Sequence, residues 1–219
     1  MPRAIFEKTG NAVYISHLDL MRLFQRAFKR SGLLLTHTQG YNPRPSVSIA
    51  LPLSVGVESC CELLDFDLEG EKVSCEEVCT RLNASMVEGV RVKAVYDDGA
   101  KLKHLALLDC VVELEYDKGI PAGALDSVKA LFERPSLVLE KKGKNGITQQ
   151  DIIPMIRSLQ LETVDGNTLS IKARICCQNP TLNPAQIAAA VSVYLPDFAP
   201  DHSRCKRLEI YDENGKVFR

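Results

Sequence analysis

The sequence predicts an α+β protein made of two ferredoxin-like (split βαβ) units in tandem, each with an antiparallel sheet. The first observation is the order strand, helix, strand, strand, helix, strand, with one additional strand, within residues 1–98. The second is that residues 105–219 repeat this order, although the two halves share a pattern and not residues. We therefore expect an N-terminal unit at 1–98 and a C-terminal unit at 105–219.

In the first half, extended segments at 3–8 and 12–15 flank a turn at 9–11. A helix begins after Ser16, because Ser16 and Asp19 form the acidic variant of a capping box and apolar residues follow at helical spacing. Gly32 ends this helix. The other elements predicted in this half are strands at 33–38, 47–53, 59–68 and 90–96 and a helix at 73–83.

In the second half, an Ala-rich helix is predicted at 184–195, because Asn183 can cap it and Pro184 suits its first turn. The remaining elements are strands at 105–116, 136–141, 159–164, 166–177 and 205–211, a helix at 122–132 and an inserted helical turn at 152–158.

The composition is that of an ordinary globular protein. The 219 residues are 45% hydrophobic and 25% charged, which excludes the disordered and collagen-like classes. No apolar run is long enough to span a membrane, so no membrane partner is expected. The start, MPRAIFEKTG, contains no apolar signal core, and we expect a cytoplasmic protein.

The eight cysteines are expected to be reduced and mostly buried. Four of them form the vicinal pairs Cys60-Cys61 and Cys176-Cys177, whose members cannot easily bridge each other. No C-x-x-C spacing occurs, so the usual zinc and iron–sulfur patterns are missing and no metal or cofactor is predicted. The alternative is a metal held by Cys75, Cys79 and a distant group.

Charge is distributed unevenly along the chain. Residues 1–50 contain seven Lys or Arg and two Asp or Glu, for a net +5, whereas residues 51–119 carry a net −8. Arg22, Arg26 and Lys29 lie opposite the apolar side of the first helix. Such a face can attract a phosphate backbone. Alternatively, it pairs with the acidic segment or is merely solvated.

Ser16-His17-Leu18-Asp19 stands at a strand-to-helix junction, where backbone N–H groups can hold an anion. His17 could contact a phosphate or act as a general acid or base, with Asp19 orienting it. The alternative is that Ser16 and Asp19 only cap the helix.

The segment Gln39 to Pro45 is a stiff loop, because two prolines flank Arg44. It could present Tyr41 for stacking on a base, and Asn42 and Arg44 for hydrogen bonds. Alternatively, the loop only joins two strands and Tyr41 fills an edge of the core. A third motif, Gly56 to Ser59, adds Glu58 as a binding candidate, although a turn followed by a polar sheet face explains it as well.

Several common catalytic patterns are missing from the sequence. It contains no Walker A loop, G-x-G-x-x-G, H-E-x-x-H or G-x-S-x-G. Without a pattern of nucleophile and base, the sequence does not support an autonomous enzyme.

The first 70 residues resemble a radical-SAM-linked family of bacterial proteins of unknown function. The matching motifs are Ile15-Ser16-His17-Leu18-Asp19, Arg22, Arg26, Gly40-Tyr41-Asn42-Pro43-Arg44-Pro45, Leu51-Pro52-Leu53 and Gly56-Val57-Glu58-Ser59. Members of this family look like a domain that occurs alone or attached to the C-terminus of a radical-SAM protein. Their genes tend to lie beside genes for radical-SAM proteins, an RNase and ribosomal proteins.

The resemblance implies a radical-SAM protein as partner, and RNA or ribosome-associated factors as further partners. This chain is not itself the radical enzyme, since position 82 is Leu where C-x-x-x-C-x-x-C would require a third cysteine after Cys75 and Cys79.

The favoured function is therefore an accessory protein that binds RNA or a nucleotide-containing substrate for a separate enzyme. The alternatives are a protein–protein adaptor and an acid/base enzyme that uses His17 and Asp19. The binding candidates are Ser16, His17, Arg22, Arg26, Lys29, Tyr41, Asn42, Arg44 and Glu58. If His17 and the loop at 40–45 converge in a cleft, the binding and enzyme hypotheses gain support, whereas a large distance between them favours a structural role for both motifs.

Overall fold

The structure, a computed structural model, describes residues 1–70, 72–143 and 146–219. It is a mixed α+β protein in which all the strand pairs given below are antiparallel. The chain divides into two units. The first comprises Met1–Lys103 with Arg219, and the second comprises His104–Phe218.

The first unit contains four strands and two helices. Its strands lie in the order β4-β1-β3-β2, and Arg3 of β1 pairs with Asp65 of β3 while Lys8 pairs with Ser59. The elements are β1 (Arg3–Lys8), a 3₁₀ helix (Gly10–Tyr14), α1 (His17–Arg30), β2 (Val47–Ile49), β3 (Val57–Phe66), α2 (Cys75–Asn83) and β4 (Val90–Tyr96).

The core of this unit forms where α1 packs on the sheet. Phe24 lies edge-on to Phe6 of β1, with ring centroids 4.8 Å apart, and Phe28 lies 5.0 Å from Phe66 of β3. All four rings are fully buried. Because the apolar residues of α1 recur every three or four positions, one side of the helix is buried and the charged side remains in solvent.

Both ends of α1 are held by cations from other elements. At the start, the buried ammonium group of Lys8 donates hydrogen bonds to the carbonyl oxygens of Val13, at 3.0 Å, and Ile15, at 2.8 Å. At the end, the guanidinium of Arg81 in α2 donates to the carbonyl oxygen of Ser31. These bonds satisfy backbone carbonyls where the chain enters and leaves the helix.

The second unit also has a four-stranded sheet, in the order β10-β5-β9-β8, and a separate hairpin of β6 and β7. Its helices and strands are β5 (Leu105–Glu115), α3 (Ala124–Phe132), β6 (Val138–Gly143), β7 (Gly146–Asp151), β8 (Ile156–Thr163), β9 (Thr168–Cys176), α4 (Ala185–Tyr194) and β10 (His202–Asp212), with 3₁₀ turns at Ile153–Met155 and Pro196–Phe198.

The structure differs from the sequence prediction at several segments: no strand was predicted for β7 (Gly146–Asp151), and the strand predicted at 47–53 ends at Ile49. Residues 12–15 were predicted as a strand, but Gly10 has a φ of 55° and the chain turns there into a 3₁₀ helix. Residues 33–38 make only isolated bridges at Leu35 and His37. The predicted helical turn at 152–158 is confined to Ile153–Met155, and β8 begins at Ile156.

In the described part of the chain, no helix combines the length and the hydropathy that crossing a membrane requires.

A substitution of Phe24 tests how much the packing of α1 on the sheet contributes to stability. We expect Phe24→Ala to lower the free energy of unfolding by about 3–5 kcal/mol, because it removes a fully buried ring and leaves a cavity. The matched control is Leu18→Ala on the exposed side of the same helix, which should change it by less than about 0.5 kcal/mol. Chemical denaturation followed by circular dichroism measures both, and equal effects would contradict the packing described.

Candidate functional site

The exposed side of α1 forms one wall of a basic groove of about 420 Å³. Three arginines, each four positions from the next, lie along it, and the loop between α2 and β4 contributes Val87. We call it the arginine groove. Its lining residues are Ile15, Asp19, Arg22, Leu23, Arg26, Arg30 and Val87.

The three arginines differ in their partners. Arg22 pairs with Asp19 at 2.9 Å, but both side chains are more than half exposed, so solvent screens the pair and it contributes little to stability. Arg30 donates a hydrogen bond to the carbonyl oxygen of Ser85 and so ties the α2–β4 loop to the helix. Arg26 forms no hydrogen bond or ion pair with the residues that the structure describes. Its guanidinium is therefore available to an anion.

The start of α1 is organised around Ser16. Its hydroxyl accepts a hydrogen bond from the backbone N–H of Asp19, at 3.2 Å, and donates one to the Asp19 carboxylate, at 2.7 Å. The hydrogen bonds from Ser16 and then Arg22 hold the pKa of Asp19 below its ordinary value.

The two carboxylate oxygens of Asp19 are thus engaged by Ser16 and Arg22. Among the described residues, Nδ1 of His17 is buried and has no hydrogen-bond partner, so the expected orienting bond from Asp19 is absent. The reason is geometric, because side chains two positions apart on a helix point to different sides. The geometry therefore gives no support to an acid/base pair of His17 and Asp19.

The loop at 39–45 is closed at its base by two hydrogen bonds. The N–H of Thr38 donates to the Arg44 carbonyl oxygen at 2.9 Å, and the N–H of Arg44 donates to the Thr38 hydroxyl at 3.0 Å. Tyr41, Asn42 and Arg44 all project into solvent, and Tyr41 is fully exposed. The alternative in which Tyr41 fills an edge of the core is wrong.

His17 and this loop do not converge in a cleft. The chain entering α1 is bonded to Lys8, which pairs with Ser59 at one end of β3, whereas β2 begins just after the loop and Val47 pairs with Phe66 at the other end. The two motifs therefore lie at opposite ends of the sheet, joined by a 14-residue helix about 21 Å long.

The predicted site residues accordingly fall into two groups. Glu58 is at the His17 end, where it accepts a hydrogen bond from the N–H of Gly10 at 3.3 Å. Lys29 is at the loop end and lines a different cavity from the arginine groove, together with Pro45. Five candidates lie at the His17 end or along the arginine groove, namely Ser16, His17, Arg22, Arg26 and Glu58. The other four lie at the loop end, namely Lys29, Tyr41, Asn42 and Arg44.

The binding candidates did not include Arg30 or the α2–β4 loop. The signal for Arg30 is its position four residues after Arg26, which extends the same stripe. The loop is placed by Gly89, which has a φ of 82° and whose carbonyl oxygen accepts from the N–H of Thr9 at 2.8 Å. A Cβ at Gly89 would lie 2.4 Å from the Thr9 carbonyl oxygen, so only glycine fits this approach.

A second polar cluster lies in the other unit. Asp109 accepts two hydrogen bonds from Arg174, at 2.7 and 2.8 Å, and one from the hydroxyl of Tyr211, at 2.9 Å. Burial acts to raise the pKa of Asp109, but these hydrogen bonds outweigh it and leave the pKa below its ordinary value. The Arg174 charge is therefore matched within the cluster.

Comparison with known proteins identifies the family. Residues 2–184 match the profile of a family described as "Uncharacterized protein conserved in bacteria (DUF2344)". The chain belongs to this family. No curated protein matches it in sequence.

Solved structures resemble the fold of this DUF2344 protein at very low sequence identity. A chain of a Cbf5-Nop10-Gar1 complex is 8% identical with a TM-score of 0.52, and the alignment covers 97% of this chain and 50% of that one. A chain of an archaeal box H/ACA sRNP Nop10-Cbf5 complex is 9% identical with a TM-score of 0.48, covering 94% and 46%. The protein thus spans about half the length of these chains, and the first likeness shows an α+β fold alone.

The cysteines of this DUF2344 protein are all free thiols. Within the described residues, no cluster of three or more His, Cys, Asp or Glu side chains is placed to hold a metal ion. Burial raises the pKa of Cys110 and Cys177 to about 12 and that of Cys205 to about 11. Burial, followed by the charge of Asp97, also raises the pKa of Cys75.

Thiol reactivity tests this description. A reaction pH of 8.5 is well below the raised pKa values of Cys110, Cys177 and Cys205. These three side chains therefore remain protonated thiols and should react slowly with an alkylating reagent. The partly exposed Cys60, Cys75 and Cys79 should react before them. Mass spectrometry of the alkylated peptides measures the order, and all eight thiols should react once the protein is unfolded without reductant. Fewer than eight reactive thiols would show a disulfide.

Proposed function

We propose that this protein binds RNA, or a nucleotide-containing substrate, through its N-terminal unit and presents it to a separate enzyme. The observation that carries the proposal is the arginine groove, with Arg26 unpaired within the described chain and Arg22 only weakly paired. Guanidinium groups form bidentate hydrogen bonds with phosphate, which suits them to a phosphate backbone.

The spacing of the arginines supports a linear polyanion. Arg22, Arg26 and Arg30 follow one another along the axis of α1 in steps of about 6 Å, since each helical residue rises about 1.5 Å. A ligand with a single charged group would contact one position along this stripe, whereas the successive phosphates of a nucleic-acid strand can contact several. The net charge of the chain is −1, so attraction of a polyanion depends on a local basic face such as this one and not on the overall charge.

Because the two motifs lie far apart, they do not form one compact site, and the proposal requires a ligand long enough to reach both. Arg22 and Arg26 contact phosphates along α1, and Lys29 and Arg44 contact phosphates near its end. Tyr41 stacks on a base, and Asn42 hydrogen-bonds to a base edge. At the other end, His17, Ser16 and Glu58 orient the strand. A ligand that reaches both ends must span the length of α1, about 21 Å, which exceeds one nucleotide.

The finer architecture belongs to the same proposal. The first unit has the strand order β4-β1-β3-β2, and the second has β10-β5-β9-β8, which becomes the same order when the β6–β7 hairpin is treated as an insertion. We infer that both are ferredoxin-like units.

Eight free thiols fit a reducing cytoplasm. The enzyme partner is a radical-SAM protein, as the resemblance of the first 70 residues implies, and the further partners are ribosome-associated factors.

A protein–protein adaptor is the second candidate, and the second unit supplies its observation. Strand β8 is at the edge of that unit's sheet, and a groove of about 630 Å³ runs between it and α3. An edge strand can pair with an extended segment of a partner. The adaptor interpretation takes precedence if RNA does not bind.

The RNA proposal is tested by fluorescence anisotropy with short single-stranded RNAs at several salt concentrations. The slope of log affinity against log salt is expected to be about −0.7 for each phosphate contact. Arg26→Ala should weaken binding and flatten the slope by about one contact, and Arg44→Ala should do the same. The control, Lys118→Ala, alters an exposed lysine of the second unit and should change neither value. Undetectable binding at low salt, or equal effects of all three variants, contradicts the proposal.

Tyr41 gives a separate prediction, because stacking carries no charge. Tyr41→Ala should cost about 1–3 kcal/mol of binding free energy and leave the salt slope unchanged. Tyr41→Phe, which retains the ring, is the matched control and should restore most of the affinity. A loss of equal size in both variants would show that the hydroxyl and not the ring makes the contact.

A further inference from the structure

A second cavity, of about 300 Å³, lies beside α1 on the side that faces the loop at 39–45. Its buried lining is apolar and consists of Phe28, Leu33 and Leu35. Its exposed lining includes the polar residues Lys29, His37 and Glu69. We call it the loop-side cavity. Leu34, Gln25 and Pro45 complete it.

We propose that the loop-side cavity receives one unstacked base of the RNA bound along α1. This inference rests on the proposed function and adds the subsite in which a base is recognised. A nucleobase has two apolar faces and a polar edge, and the cavity matches this division with an apolar floor and polar exposed residues.

The position of Lys29 connects this cavity to the arginine stripe. Lys29 comes three residues after Arg26 and seven after Arg22, so the three lie on adjoining parts of the exposed surface of the helix. Its ammonium can therefore hold a phosphate of the same strand while the attached base turns into the cavity. Pro45, at the base of the loop that displays Tyr41, also lines the cavity.

The charge of Glu69 indicates which base fits. A carboxylate only accepts hydrogen bonds, and it pairs with the exocyclic amino group of cytosine. Uracil presents a carbonyl oxygen at the same position and would repel the carboxylate. The Glu69 side chain is about half exposed and lies 3.9 Å from His37, so it remains accessible to a ligand. We therefore expect cytosine to be preferred to uracil.

Filling the cavity is the first test. Leu34 is 59% exposed at its edge, so Leu34→Trp adds bulk there without opening the core, and Val193→Trp on the exposed surface of α4 is the matched control. RNA 12-mers carrying one abasic nucleotide, moved one position at a time, are titrated against each protein by anisotropy. In the wild type, an abasic site at one position should weaken binding about tenfold. Leu34→Trp should bind intact RNA about tenfold more weakly than the wild type does. Its affinity should not fall further when the abasic RNA is used.

The second test compares oligocytidine with oligouridine. The wild type should prefer oligocytidine, and Glu69→Gln should reduce the preference, while the salt slope set by the arginines stays the same. If RNA binds with the expected salt slope but abasic scanning, Leu34→Trp and base identity have no effect, the cavity proposal fails and the RNA-binding proposal stands. If a protein segment competes for the cavity and no RNA binds at low salt, both proposals fail. Circular dichroism melting shows whether each variant is folded.

Discussion

The contact of Phe24 and Phe28 with the sheet determines which residues of α1 reach solvent. Both rings are fully buried against aromatic partners on β1 and β3. Since a helix repeats every 3.6 residues, fixing these two side chains also fixes the direction of every other side chain on the helix. The arginine stripe is displayed because rotation of the helix would expose phenylalanine. The basic surface is therefore a consequence of packing as much as of charge.

Much of this arrangement follows from local pattern. The spacing of apolar residues predicted α1, and the capping role of Ser16 agrees with the hydrogen bond that its hydroxyl accepts. Prolines on both sides of Arg44 predicted a stiff loop, and the bonds between Thr38 and Arg44 close it. These features depend on residues within a few positions of each other, where helical period, capping and turn chemistry act directly.

Features that depend on distant residues could not be read in this way. The arginine groove needs Val87, which is far from α1 in sequence and is placed by the packing of α2 and β4. The separation of His17 from the loop at 39–45 is set by the register of β1, β2 and β3. The 3₁₀ helix at Gly10–Tyr14 was missed because residues 12–15 form a short apolar run, and such a run does not distinguish a strand from a helical turn by its periodicity.

Gly89 gives a way to separate relatives that keep the groove from relatives that keep only the fold. Its carbonyl oxygen is bonded to Thr9, and its backbone approaches Thr9 too closely for any side chain. A larger residue would push the α2–β4 loop away from the 3₁₀ helix and carry Val87 with it, while the helices and strands could still form. Within the family, the identity of this one residue should therefore vary together with the arginines of α1, and chains that have lost both have been released from selection for the groove.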